Sequence, residues 1–117
     1  MEKEIYRMLE ECKMRYHLKA LMPDIPFIVA FDNGVEKKRV SFGKHNEIDM
    51  INETDCESDF IVKGNPEQIC TLLDGKEKLS ILLGREDIAV TGTYRGLLFV
   101  ESVLTLCRIH EAEPVVI

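Results

Sequence analysis

The sequence predicts an α+β domain: a five-stranded, mainly antiparallel sheet with helices packed largely on one face. Three observations predict it. Short apolar runs with strand-like alternation recur at FIVAF, RVSF, EIDMIN, SDFIVKG and DIAVTG, while helical spacing marks the opening segment, two short segments after Asn65 and a last one after Thr93. The first four strand-like runs follow one another closely, which favours antiparallel neighbours, and the helices gather before and after them.

The opening segment, EKEIYRMLEECKMRYHLKAL, places Ile5, Met8, Leu9, Cys12, Tyr16 and Ala20 near one face and charged residues mostly opposite. It is an amphipathic helix, expected over Met1–Leu21. Pro23 and Pro26 end it, because proline lacks the amide donor and disfavours helical geometry in the residue before it. FIVAF then runs into DNG, a hairpin signal since Asn and Gly tolerate positive φ, and RVSF returns, leaving Glu36 to Arg39 as an exposed arm. In EIDMIN, Ile48 and Met50 share a face; in SDFIVKG, Phe60 and Val62 share one while Ile61 takes the reverse, so that strand is expected to be covered on both sides.

NPEQICTLLDG is a punctuated short helix. Asn65 caps it, Pro66 fits the first helical position, Glu67 suits the positive end, Gly75 stops it, and Ile69, Leu72 and Leu73 point inward. Leu79, Ile81, Leu82 and Leu83 form a second short helix before Gly84, and DIAVTG is the late strand, with the excursion from Asn65 to Gly84 free to carry it elsewhere in the sheet. The final segment, TYRGLLFVESVLTLCRIH, has Thr91 and Thr93 as candidate caps and Gly92 at a strand-to-helix turn. Leu97, Leu98, Val100, Val103, Leu104, Leu106 and Cys107 cover more than one stripe, so this helix is expected to be buried on several sides, or to border a cavity or a partner. The tail EAEPVVI is either a loose end or a strip over apolar surface.

With 117 residues the chain suits a single domain, 1–117, and 45% apolar with 31% charged residues exclude a disordered chain. No apolar window reaches the length of a membrane span, and MEKEIYRM lacks the apolar core of a secretory signal, so no stable membrane insertion and a cytoplasmic location are expected. Cys12, Cys56, Cys70 and Cys107 include no pair two residues apart, which removes zinc-knuckle and redox CxxC readings and leaves free thiols, three of them core-filling. A net charge of −6 argues against a nucleic-acid partner. Lys37, Lys38, Arg39 and Lys44 gather locally, followed by Glu47, Asp49, Glu53, Asp55, Glu57 and Asp59; both runs suit solvated hairpin and strand edges, or a polar partner or anionic surface.

Reactive chemistry is sparse. His17, His45 and His110 belong to no metal-binding pattern, Ser41, Ser80 and Ser102 have no nucleophile-elbow context, and Gly84, Gly92 and Gly96 match neither a phosphate loop nor a dinucleotide fingerprint. No enzyme and no cofactor are expected. An enzyme would need a site assembled from distant residues such as His17, Tyr94 and Glu101. Function therefore has to come from shape, and the apolar later helices suit an ordinary core, a dimer surface or a ligand cavity.

The run ESDFIVKGNPEQICTLLDGKEKLSILLGREDIAVTGTYRGLLFVESVL resembles the later half of sterol carrier protein 2-like domains. Asp59 with the following FIV is similar to the family's "aD-strand" element, Leu72 to Lys76 to its short helix ending in Gly-Lys, and Gly84, Ile88, Val90 and Gly92 to its glycine-bearing strand before the last helix. The resemblance implies a five-stranded sheet and helices enclosing an apolar tunnel for sterols, fatty acids or fatty acyl groups. It also implies non-catalytic carriage of a hydrophobic small molecule or lipid, with Phe60, Leu73, Leu79, Leu82, Leu98 and Phe99 as expected lining residues. The alternative is a small homodimeric interaction domain without a ligand.

Overall fold

A computed structural model describes residues 1–14, 22–44, 48–51 and 57–107. Helix α1 (Glu2–Met14) is followed by strands β1 (Phe27–Asp32), β2 (Lys37–Phe42), β3 (Asp49–Ile51) and β4 (Phe60–Gly64). Helices α2 (Pro66–Leu73) and α3 (Leu79–Gly84), strand β5 (Ile88–Thr91) and helix α4 (Tyr94–Leu106) complete the order. The sheet runs β3-β2-β1-β4-β5. Three of its pairings are antiparallel, as expected, and β1–β4 is parallel.

That parallel pair is where sequential order breaks. The chain adds β2 and β3 to one side of β1, then returns to place β4 on the other, which a parallel neighbour requires because a tight turn cannot reverse twice. Asp59 anchors the return: its amide donates to the Ile28 carbonyl at 2.8 Å and its carboxylate accepts from the Ile28 amide at 2.9 Å. The register then sets Val29 against Phe60 and Phe31 against Val62. The excursion through α2 and α3 brings β5 back beside β4, with Val62 against Val90.

The hairpin signal has a direct cause. Asn33 is buried yet satisfied, its side-chain oxygen accepting from the amides of Val35 and Glu36, and Asp32 accepts from Gly34, which sits at φ 87°. Within the expected exposed arm only Glu36 and Lys37 are open to solvent. Lys38 points to the helical side and pairs with Glu2 at 3.8 Å, and Arg39 is half-buried. Lys44 pairs with Asp24 at 3.0 Å, so part of the basic run is neutralised locally.

Register divides the sheet into two faces. Phe27, Val29, Phe31, Val40, Phe42, Met50, Phe60, Val62 and Val90 share the face that holds the core, where most are fully buried. Ile28, Ala30, Arg39, Ser41, Ile61 and Thr91 share the other, mostly half-buried with Ala30 fully covered between Arg39 and Ile61. Removing each large apolar side chain of the first face from water contributes about 1.5–3 kcal/mol.

Helix α1 buries Ile5, Met8, Leu9 and Cys12, the spacing that the amphipathic reading requires, and packs on α2, α4 and β3. Tyr16, Ala20, His17, His45, His110, Cys56 and the tail 111–117 lie outside the described residues. An Arg7–Asp74 ion pair ties α1 to the end of α2. Helix α2 is capped by Asn65, whose side chain accepts from the Gln68 amide at 2.8 Å, and it buries Ile69, Leu72 and Leu73. In α3 only Leu79 and Leu82 are buried; Ile81 faces solvent, because six residues span too little of a turn repeat to turn four apolar side chains inward.

Candidate functional site

Helix α4 is held against the sheet at its first turn. Thr93 caps it, its hydroxyl accepting from the Gly96 amide at 3.0 Å, while Thr91 stays within β5. Just before, Gly92 adopts φ 149°, and a Cβ there would stand 2.4 Å from the Phe60 ring. Gly96 is just as confined: its Cβ would lie 3.0 Å from the Phe27 ring and 3.2 Å from that of Phe60. The strand-to-helix turn expected at Gly92 thus packs directly on a ring of the sheet.

Those glycines let aromatic rings assemble beneath the helix. Phe99 meets Phe27 edge-on at 5.3 Å between centroids and Phe42 edge-on at 6.0 Å, geometries in which the positive ring edge meets the negative face. Phe27 and Phe42 are register partners across the hairpin. Neither was among the expected lining residues, although hairpin alternation already paired them on one face.

Of the six expected residues, Phe60, Leu73, Leu79 and Leu82 belong to one continuous buried core, and Phe99 packs against it. Phe60 and Phe99 come together around the first turns of α4, through Gly96 and Phe27. Leu79 lies at the other end, lining a small cleft with Leu72, Gly75, Glu77, Lys78, Leu104 and Thr105, partly open to solvent. Leu98 is not brought to the others: it is 47% exposed on the opposite side of α4.

The site holds almost no charge. The polar groups nearest it sit at the pocket rim, where Glu77 takes the Arg85 guanidinium at 3.4 Å. Among the described residues no group of His, Cys, Asp and Glu side chains has the arrangement of a metal site. Tyr94 is exposed and Glu101 half-buried on α4.

No family model matches the chain. No curated protein matches it either. Solved structures do: the SCP2-type ubiquinone synthesis protein UbiJ is similar over 86% of this chain and 89% of its own, with TM-score 0.67 and 13% identity. The sterol carrier protein domain 2 of Helicoverpa armigera is similar over 90% of this chain and 85% of its own, with TM-score 0.65 and 10% identity. The chain has the sterol carrier protein 2 fold. A third structure with the same SCP2 fold, a palmitated SCP2-like protein of Aedes aegypti, covers 84% of this chain and 91% of its own, with TM-score 0.53 and 14% identity. No helix among the described residues is long and apolar enough to cross a membrane.

Proposed function

We propose that this chain is one domain, 1–117, that binds and carries a lipid with an apolar tail, without catalysis, on the helical side of its sheet. The observation that carries the reading is the apolar face of the sheet under α4, set in a fold that a palmitated protein shares. Phe60, Leu73, Leu79, Leu82 and Phe99 would contact the tail, and Leu98 would stand at the outer rim. Three thiols outside any disulfide, Cys12, Cys70 and Cys107, suit the reducing cytoplasm as the place where it works.

Packing sets a condition on binding. Phe60, Leu79 and Leu82 are each 1% exposed, and the cleft beside Leu79 has room for about one water, far below the roughly 300–1,000 Å³ of ordinary ligand sites. A tail seated among them has to displace side chains that now touch one another, so binding is coupled to a small parting of the helices from the sheet. Each methylene withdrawn from water returns about 0.8 kcal/mol, and a long chain is needed to offset that opening.

Native mass spectrometry of the purified chain, followed by organic extraction, tests the reading. The expected result is a co-purifying fatty acid or related lipid near one per chain. An apo monomer that also fails to take up palmitate from solution overturns it, and an apo dimer replaces it with an interaction domain.

A further inference from the structure

Two thiols that the lipid site does not use meet inside the core. Cys12 lies near the end of α1 and Cys107 caps the end of α4, two helices that pack on each other. Cys12 is 0% and Cys107 5% exposed, and both belong to the same buried cluster. Both thus sit at the α1–α4 interface, and the nearness of the Cys107 thiol raises the Cys12 pKa. Cys70, on α2, is not part of this contact.

We propose that Cys12 and Cys107 are a disulfide-forming pair, oxidised by a small disulfide such as oxidised glutathione, which links the end of the first helix to the end of the last. The Cys107 thiolate attacks one sulfur of oxidised glutathione, expelling one glutathione thiolate and leaving a mixed disulfide. The Cys12 thiolate then attacks the Cys107 sulfur and expels the second glutathione. Two protein thiols lose two protons and two electrons, and one glutathione disulfide becomes two thiols.

Cys107 acts first because it stands at a helix end with some access to solvent, while Cys12 is enclosed. The neighbouring Cys107 thiol, and then burial, push the Cys12 thiol above its ordinary range, which disfavours the Cys12 thiolate and slows the second step. Closing the bond, about 2.04 Å long, requires the two side chains to draw together across the α1–α4 interface. It ties positions far apart in the chain, the case in which a crosslink removes most freedom from the unfolded state.

The test is overnight incubation of the full, folded chain with oxidised glutathione, then intact mass and peptide mapping without reductant. The expected result is loss of two hydrogen masses, one peptide pair joining Cys12 to Cys107, and a higher thermal midpoint that falls back on adding reductant. Cys70→Ala keeps the crosslink and Cys107→Ala abolishes it. Should Cys107→Ala not fold, the wild-type peptide map decides alone. No reaction in the folded chain, a lasting glutathione adduct on Cys107, or a crosslink that uses Cys56 or Cys70 overturns the proposal.

Discussion

The two sides of helix α4 are alike in composition and opposite in environment. Toward the sheet, Gly96, Val100, Val103 and Leu104 are buried, and Phe99 reaches the rings of Phe27 and Phe42. Away from it, Tyr94, Leu98, Ser102 and Leu106 form a stripe at intervals of four residues, with Leu98 47% and Leu106 41% exposed. Of the alternatives read for this helix, burial on several sides is the one that the exposed stripe does not fit. Apolar content measures how much surface could be hidden, whereas the number of neighbours decides how much is, and folded proteins leave much apolar surface in water.

Substitutions that separate the two sides range from large to negligible. The largest effect is expected at Phe60, whose ring touches both confined glycines: Phe60→Ala should lower the unfolding free energy by about 3–5 kcal/mol, read from urea melts at unchanged slope. Gly92→Ala comes next. It places a Cβ into the Phe60 ring at a φ that side chains rarely adopt, and a loss of about 2–3 kcal/mol is expected; a loss under 0.5 kcal/mol, roughly the size of a surface change, would show that α4 is not held this way.

Thr93→Ala should cost about 1 kcal/mol by leaving the Gly96 amide without its cap, and Thr93→Ser should restore most of it in the same thermal melts. The smallest effect belongs to the outer stripe. Leu98→Ser should shift stability by no more than about 0.5 kcal/mol. If the same change weakens palmitate uptake severalfold, measured by fluorescence competition, the outer side joins the ligand site; if uptake is unchanged, lipid contact is confined to the sheet side.

Local features were legible because their causes are local. The Asn65 and Thr93 caps, the Asp32-Asn33-Gly34 turn and the inward Ile5, Met8, Leu9 and Cys12 each depend on residues within one or two turns. All five strands were read from short apolar runs, and the pairing register between them put Phe27 and Phe42 on the side of Phe60. Four of the residues named from the sequence, Phe60, Leu73, Leu79 and Leu82, share one buried core, as apolar residues at helix and strand spacing do. Leu98 and Phe99 could not be told apart by spacing in a helix apolar all round, because helical periodicity ranks faces only when one of them is polar.

By itself, then, the sequence determined the helices and strands, the Asn65 and Thr93 caps and the Asp32-Asn33-Gly34 turn. Only the tertiary structure decided that β4 lies parallel to β1, that α4 turns Leu98 and Leu106 to solvent, and that Cys12 and Cys107 share the α1–α4 interface. The physical reason is range. Caps and periodicity act over a few residues, whereas strand choice, helix rotation and thiol contact are settled by packing between segments that the chain brings together only once it has folded.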